Sequence, residues 1–174
     1  INIRMIDVLT HSSGLPSYVS PEVVIKAKGK DDPDSLMSYI ATMKRIYKPT
    51  TEFEYSCLNF ITLQNVLQNI TGMTLADYAQ KNIFDVLGMK HTTYMPKNKP
   101  EIMKLVAPTE KKPDGECFLG EVHDPLARVM NHGNSGNAGV FSNAEDLSIL
   151  AAALMNGGEF NGKQVLGKLT VETM

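Results

Sequence analysis

Three consecutive residues, Tyr55-Ser56-Cys57, put a phenol, a hydroxyl and a thiol at the entrance to an apolar stretch. Read locally, the tyrosine is an aromatic staple and the serine an N-cap for the helix that follows. The hydroxyl pair Ser12-Ser13 lacks the marks of a serine nucleophile. Neither serine has a lysine three residues on, and neither sits in a Gly-x-Ser-x-Gly elbow. No two of His11, His91, His123 and His132 share the close helical spacing of a zinc site, so no metal is expected, and no sequence feature calls for a cofactor. His11 is expected to bond to backbone within its own turn. His123-Asp124 reads as an orienting pair that pins a loop, in preference to a catalytic dyad. Cys57 and Cys117 are too few for a disulfide framework and have no metal-ligand spacing, so both are expected as free thiols.

These groups need elements to hold them. Asn2 can cap a helix over Ile3 to Thr10 with Ile6 and Leu9 inward, and Gly14 permits the exit turn into Leu15-Pro16. Asp32-Pro33 supplies an N-cap and a first-position proline. Leu36, Tyr39, Ile40, Met43 and Tyr47 then repeat at helical spacing, with Pro49 as the stop. Leu58 to Thr71 places Phe60, Leu63, Leu67 and Ile70 on one stripe, closed by Gly72. Thr74 to Asp77 resembles a capping box opening a helix through Leu87, closed by Gly88. Lys90 to Gly139 is rich in Pro, Gly and Asn and reads as loops with short strands, including a hairpin around Cys117 to Val122. Ser142-Asn143-Ala144-Glu145 is a capping box for a helix carrying Leu147, Leu150, Ala151 and Leu154, stopped by Gly157-Gly158. The expected fold is mainly α with a few short strands.

Composition narrows the function classes. The 174 residues suit one domain, 43% hydrophobic and 21% charged, with a net charge of -2. The 17 Lys+Arg are scattered among 19 Asp+Glu, leaving no basic stripe to follow a phosphate backbone, so nucleic acid is not an expected partner. No apolar run approaches the roughly 18 residues that span a bilayer. The chain opens mid-pattern at Ile1 and closes at Met174 within a helical turn, so an internal piece of a larger domain is expected.

Five segments, in order, carry a resemblance: Thr10-His11-Ser12-Ser13-Gly14-Leu15-Pro16, Phe53-Glu54-Tyr55-Ser56-Cys57, Ile83 to Thr92, Gly120-Glu121-Val122-His123-Asp124, and Gly136-Asn137-Ala138-Gly139-Val140-Phe141-Ser142. Together they resemble the serine hydrolases of the β-lactamase and penicillin-binding-protein superfamily, which includes class C β-lactamases, D-alanyl-D-alanine carboxypeptidases and esterases. The resemblance implies a partial β-lactamase-like domain over residues 1-174: the helical lobe, without most of the central antiparallel sheet. It also implies acyl-enzyme chemistry, with an alternative as an inert binding or sensor module of the same fold.

The family nucleophile sits in Ser-x-x-Lys, upstream of the His-Ser-Ser-Gly-Leu-Pro turn, and a Lys-Thr-Gly or His-x-Gly segment lies downstream. Neither occurs in these residues, and the isolated chain is expected to be inactive. By the same resemblance Tyr55 is the proton-exchanging tyrosine. Cys57 stands where the family has an amide-bearing asparagine, and Ser17, Tyr18, Asn137 and Ala138 line the substrate cleft. Asn59, two residues further along the helix, is rotated away and is no substitute. At a helix N-terminus facing the cleft, Cys57 is expected to favour the thiolate and to outpace Cys117. The implied substrate is a β-lactam, a D-alanyl peptide or an ester, the implied location is periplasmic or extracellular, and self-association through exposed apolar surface is possible.

Overall fold

The structure, a computed structural model, describes residues 3–174. In chain order it contains α1 (Met5–Leu9), α2 (Pro21–Lys28), α3 (Pro33–Thr42), α4 (Cys57–Thr71), α5 (Leu75–Ala79), a π-helical turn (Gln80–Phe84), α6 (Asp85–Leu87) and β1 (Thr93–Tyr94). A 3-10 turn (Pro96–Asn98), α7 (Pro100–Met103), β2 (Pro108–Lys111), β3 (Cys117–Leu119) and a second π-helical turn (Leu126–Met130) follow. The chain ends with β4 (Val140–Phe141), α8 (Ala144–Met155), β5 (Glu159–Phe160), β6 (Lys163–Gln164) and α9 (Lys168–Thr173). The described strands form antiparallel pairs, β1 with β4, β2 with β3 and β5 with β6, so the mainly α expectation holds.

Two compact units divide the chain. The first joins the described residues up to Leu75 with Ala107–Gly139. Its core is Leu15, Val19, Val24, Leu36, Ile40, Leu58, Ile61, Leu126 and Met130, each buried side chain contributing roughly 1.5 to 3 kcal/mol by leaving water. Asp32 caps α3 as expected, its carboxylate accepting the Ser35 N–H at 2.7 Å, and Leu36 and Ile40 turn inward. The helix stops earlier than expected, at Thr42. Met43 is extended, and the segment to Tyr47 is drawn off by the Ile46 N–H bonding to the Gly14 carbonyl at 2.8 Å. Gly14 itself is left-handed at φ 76, and a side chain there would strike the Tyr47 carbonyl.

The faces of α1 and α4 differ from their expected phase. In α1 the buried residues are Asp7 and Val8, while Ile6 and Leu9 are about half exposed; the cap expected at Asn2 lies outside the described residues. The reason is Asp7, whose carboxylate accepts the Arg4 backbone N–H and its guanidinium, each at 2.9 Å, turning that face inward against α4. In α4 the buried positions are Leu58, Asn59, Ile61 and Gln64, and Ile70 is exposed. Polar residues occupy this inward stripe because loops hydrogen-bond to it, and a hydrophobic periodicity cannot register them.

The second unit joins Ala76–Val106 with Val140–Met174. Its helix runs from α5 through the π-helical turn to α6, as the capping signal and Gly88 implied, although the π-helical turn was not foreseen. The core gathers Ala79, Phe84, Leu87, Met89 and Ala153, with Ile149, Leu150 and Phe160 against it. The N-cap of α8 is Asn143, which accepts the Asp146 N–H at 2.8 Å, one residue past the expected Ser142. Ser142 is occupied elsewhere, 2.8 Å from the Thr92 hydroxyl. Leu147 and Ala151 face outward, and buried Asp146 holds the Thr92 hydroxyl at 2.8 Å and the His91 N–H at 2.7 Å.

Hydrogen bonds from Arg4, with its charge, hold the Asp7 carboxyl below the usual carboxylate range. A lowered folded value stabilises fully above the ordinary carboxylate pKa of about 3.9 and loses that contribution as pH falls through the lowered value. Asp7→Asn is therefore expected to lower the thermal midpoint at pH 7 and to match the parent at strongly acid pH. A constant gap across the acid range in a calorimetric series would refute this role.

Candidate active site

The entrance to α4 is built by a turn folded back upon it. Ser56 stands at the N-cap position in extended conformation, yet its hydroxyl caps nothing; it donates to the Pro16 carbonyl at 2.6 Å. The Cys57 N–H donates to the Ser17 carbonyl at 3.0 Å and the Glu54 N–H to the His11 carbonyl at 3.0 Å. Residues 11–17 are thus stitched to residues 54–57, bringing Ser17 to Cys57. The serine-cap expectation fails because the backbone of this turn, rather than a side chain, receives the orphan helix N–H.

His11 does not bond to backbone of its own turn. Its Nδ1 accepts the Ser56 N–H at 3.1 Å and lies 3.2 Å from the Asn59 amide nitrogen. Asn59 is fully buried, and its Oδ1 accepts the Ser13 hydroxyl at 2.6 Å. It turns inward, as the helical rotation required. The imidazole ring lies among Tyr55 (centroids 4.6 Å apart), Phe60 (5.3 Å) and Phe53 (6.0 Å). Tyr55 keeps 59% of its surface exposed.

On the other side of Cys57, Asp124 organises a loop. Its Oδ1 accepts the Ala127 N–H at 2.8 Å and the Asn137 amide at 3.1 Å. Asn137 Oδ1 in turn accepts the Ser135 hydroxyl at 2.7 Å. The expected His123-Asp124 pair is not formed as a pair: His123 is exposed, its Nε2 3.9 Å from Glu110, and Asp124 bonds to the loop without it. The segment also sits directly on α4. Gln64 accepts the Gly136 N–H at 2.8 Å and donates to the Asn134 carbonyl at 2.8 Å, and a side chain at Gly136 would collide with the Phe60 carbonyl. Half-buried Ala138 follows, without a polar group of its own.

Tyr18 and Cys57 share this neighbourhood. Burial first, then the charges of Asp124, Cys57 and Glu22, push the Tyr18 phenol up, against a bond from the Leu126 backbone. Cys57 departs from its expectation: burial pushes the half-buried thiol up, a hydrogen bond from Asn137 opposes this, and the Asp124 charge adds to it. Desolvation outweighs the helix N-terminus. The structure therefore brings Ser17, Tyr18, Cys57 and Asn137 together within the first unit, with Tyr55 two residues before Cys57 on the His11 ring. Sequence reasoning placed Asp124 in a loop-pinning pair with His123 but missed His11 as the acceptor at the α4 entrance. That second role leaves no local sequence signal, since its partner lies 45 residues away. Among the described residues no group of three His, Cys, Asp or Glu could hold a metal ion, and no helix is long and apolar enough to cross a membrane.

A family profile described as Beta-lactamase matches residues 1–174. The chain is 32% identical to an N-acetylmuramyl-L-alanine amidase of Bacillus subtilis, over 98% of this chain and 42% of that protein. It is 29% identical to a putative D-alanyl-D-alanine carboxypeptidase of Escherichia coli, again over 98% of this chain and 42% of the relative. It therefore spans about two fifths of the length of these relatives. The octameric penicillin-binding protein homologue of Pyrococcus abyssi shares the fold at TM-score 0.71 and 22% identity, over 97% of this chain and 37% of the other.

With Cys57 half-buried and its thiol pushed up while Cys117 is exposed, the order of reactivity is expected to be Cys117 first. Iodoacetamide at pH 8 followed by peptide mapping tests this, and alkylation of Cys57 ahead of Cys117 would contradict it.

Proposed function

The chain belongs to the β-lactamase family, and on that footing we propose that it forms the tyrosine-bearing wall of a serine hydrolase working through an acyl-enzyme. The carrying observation is the grouping of Tyr55, Cys57, Ser17, Tyr18 and Asn137 at one end of α4, held by hydrogen bonds at Ser56, Cys57 and Asn137. In this reading a serine outside these residues attacks the substrate carbonyl, and its proton passes by way of Tyr55 to the leaving group. Water then releases the acyl group by the reverse proton path. Residues 1-174 are a partial domain in this proposal, because no Ser-x-x-Lys occurs among them.

Tyr55 suits the role by position: exposed, anchored by its ring face and adjacent to a helix entrance. An unperturbed phenol of pKa about 10 is only about 0.1% ionised at neutral pH, so phenolate chemistry would need cationic neighbours from the rest of the active site. At Cys57 the weakly hydrogen-bonding thiol replaces an amide, and Asn137 presents its own amide beside it. This exchange argues for D-alanyl peptides or small esters ahead of β-lactams as substrates. It is also the feature that favours a second reading, a module that binds in the cleft without turnover. An extracytoplasmic location follows from the proposed substrates.

In the full-length protein Tyr55→Phe is expected to slow acylation by about 100- to 10,000-fold without unfolding the chain. An unchanged rate removes Tyr55 from the mechanism. The 174-residue chain alone is expected to turn over neither nitrocefin nor a 4-nitrophenyl ester above background, and turnover that follows the purified chain would overturn the partial-site reading.

A further inference from the structure

His11 belongs to no step of the proposed reaction, yet it touches both the tyrosine and the backbone that carries it. The Ser56 N–H points at Nδ1 from 3.1 Å. A backbone N–H can only donate, so Nδ1 must carry a lone pair and no proton. The Asn59 amide nitrogen, 3.2 Å away, adds a second donor to the same atom. A hydrogen on Nδ1 would face two others. The neutral ring therefore keeps its proton on Nε2.

The rest of the surroundings of the ring is mainly aromatic. Tyr55 lies over the imidazole at 4.6 Å with a 39° tilt, and Phe60 and Phe53 enclose it. From the turn itself come Thr10 and Ser12, joined to each other through their hydroxyls at 3.0 Å. The loop after α3 contributes the Tyr47 hydroxyl, which donates to the His11 carbonyl at 3.2 Å, and α4 contributes Asn59 and Phe60. Glu54 meets His11 through its backbone N–H. The titratable side chains that these contacts bring to His11 are the phenols of Tyr55 and Tyr47, and neither supplies the carboxylate that would favour an imidazolium.

We propose that His11 is a positioning residue for Tyr55: an unprotonated Nδ1 holds the Ser56 N–H, and the ring face carries the phenol. The proposal rests on the tyrosine reading above and adds to it a requirement for one tautomer at a residue outside the chemistry. Its backbone conformation constrains the test. His11 has φ 56, a left-handed region that asparagine tolerates well and leucine poorly.

The experiment uses the full-length protein. Labelling by a fluorescent penicillin and hydrolysis of 4-nitrophenyl acetate are followed from pH 5 to 9 for the parent, His11→Asn, His11→Leu and Tyr55→Phe. Asparagine puts Oδ1 where Nδ1 stood and does not titrate. His11→Asn is expected to stay within about threefold of the parent at pH 8. His11→Leu is expected to lose about 10- to 100-fold in kcat with KM little changed, the cost of a misplaced group. Equal losses in both variants overturn the proposal. If Tyr55→Phe is as active as the parent, the tyrosine reading falls and takes the positioning role with it. The histidine 15N signals decide the remaining premise independently of activity: an unprotonated Nδ1 at pH 8 supports it, and a protonated Nδ1 overturns it.

Discussion

The Ser56 N–H can only donate, and the side-chain bonds of the turn follow from it. It makes His11 Nδ1 an acceptor. Asn59 must then aim its NH2 at the imidazole, which leaves its Oδ1 for the Ser13 hydroxyl. Ser13 Oγ is left to accept the Leu15 N–H at 3.2 Å. Each link contributes only about 0.5 to 1.5 kcal/mol net, whereas stranding one buried partner costs about 1 to 3. That asymmetry makes the arrangement a specification more than a source of stability. Ser13 and Asn59 are themselves buried, so water does not readily substitute for a missing partner.

Gln64 does for the second loop what His11 and Asn59 do for the first. Its amide accepts from Gly136 and donates to Asn134, imitating a stretch of strand pairing between a helix and a loop. Gly136 has no side chain because the Phe60 carbonyl occupies that space. Both loops are thus fastened to α4 within two helical turns. Residues can sit on irregular backbone and still be fixed when the scaffold under them is a single helix.

How much of this could be read from the sequence depended on the range of the interaction. Asp32 and Gly88 act within a few residues, so the start of α3 and the end of α6 were legible. The five ordered family segments were legible too, and the three of them that lie in the first unit mark its hydrogen-bonded turns and loops. What failed were the phases of α1 and α4. Apolar periodicity assigned Ile6, Leu9 and Ile70 to the inside, whereas Asp7, Asn59 and Gln64 take that place because each has polar partners there. The cap at α8 slipped by one residue for a related reason, since Ser142 was claimed by Thr92, 50 positions away. Both π-helical turns were invisible to periodicity.

Cys57 shows how the same constraint reaches the chemistry. The helix N-terminus would favour a thiolate, but the turn that satisfies the helix's own N–H also covers the sulfur, and desolvation wins. The neighbouring amide feels the consequence. Asn137 Oδ1 is committed to Ser135 and one of its hydrogens to Asp124, so what remains to it is a donor beside a sulfur that accepts hydrogen bonds weakly. A weakly held donor on a pinned amide is exchanged at little cost for a better acceptor. An asparagine at position 57 would instead offer its own carbonyl oxygen to that donor and close the two amides on each other. The thiol thus leaves the Asn137 amide held mainly by Asp124 and Ser135.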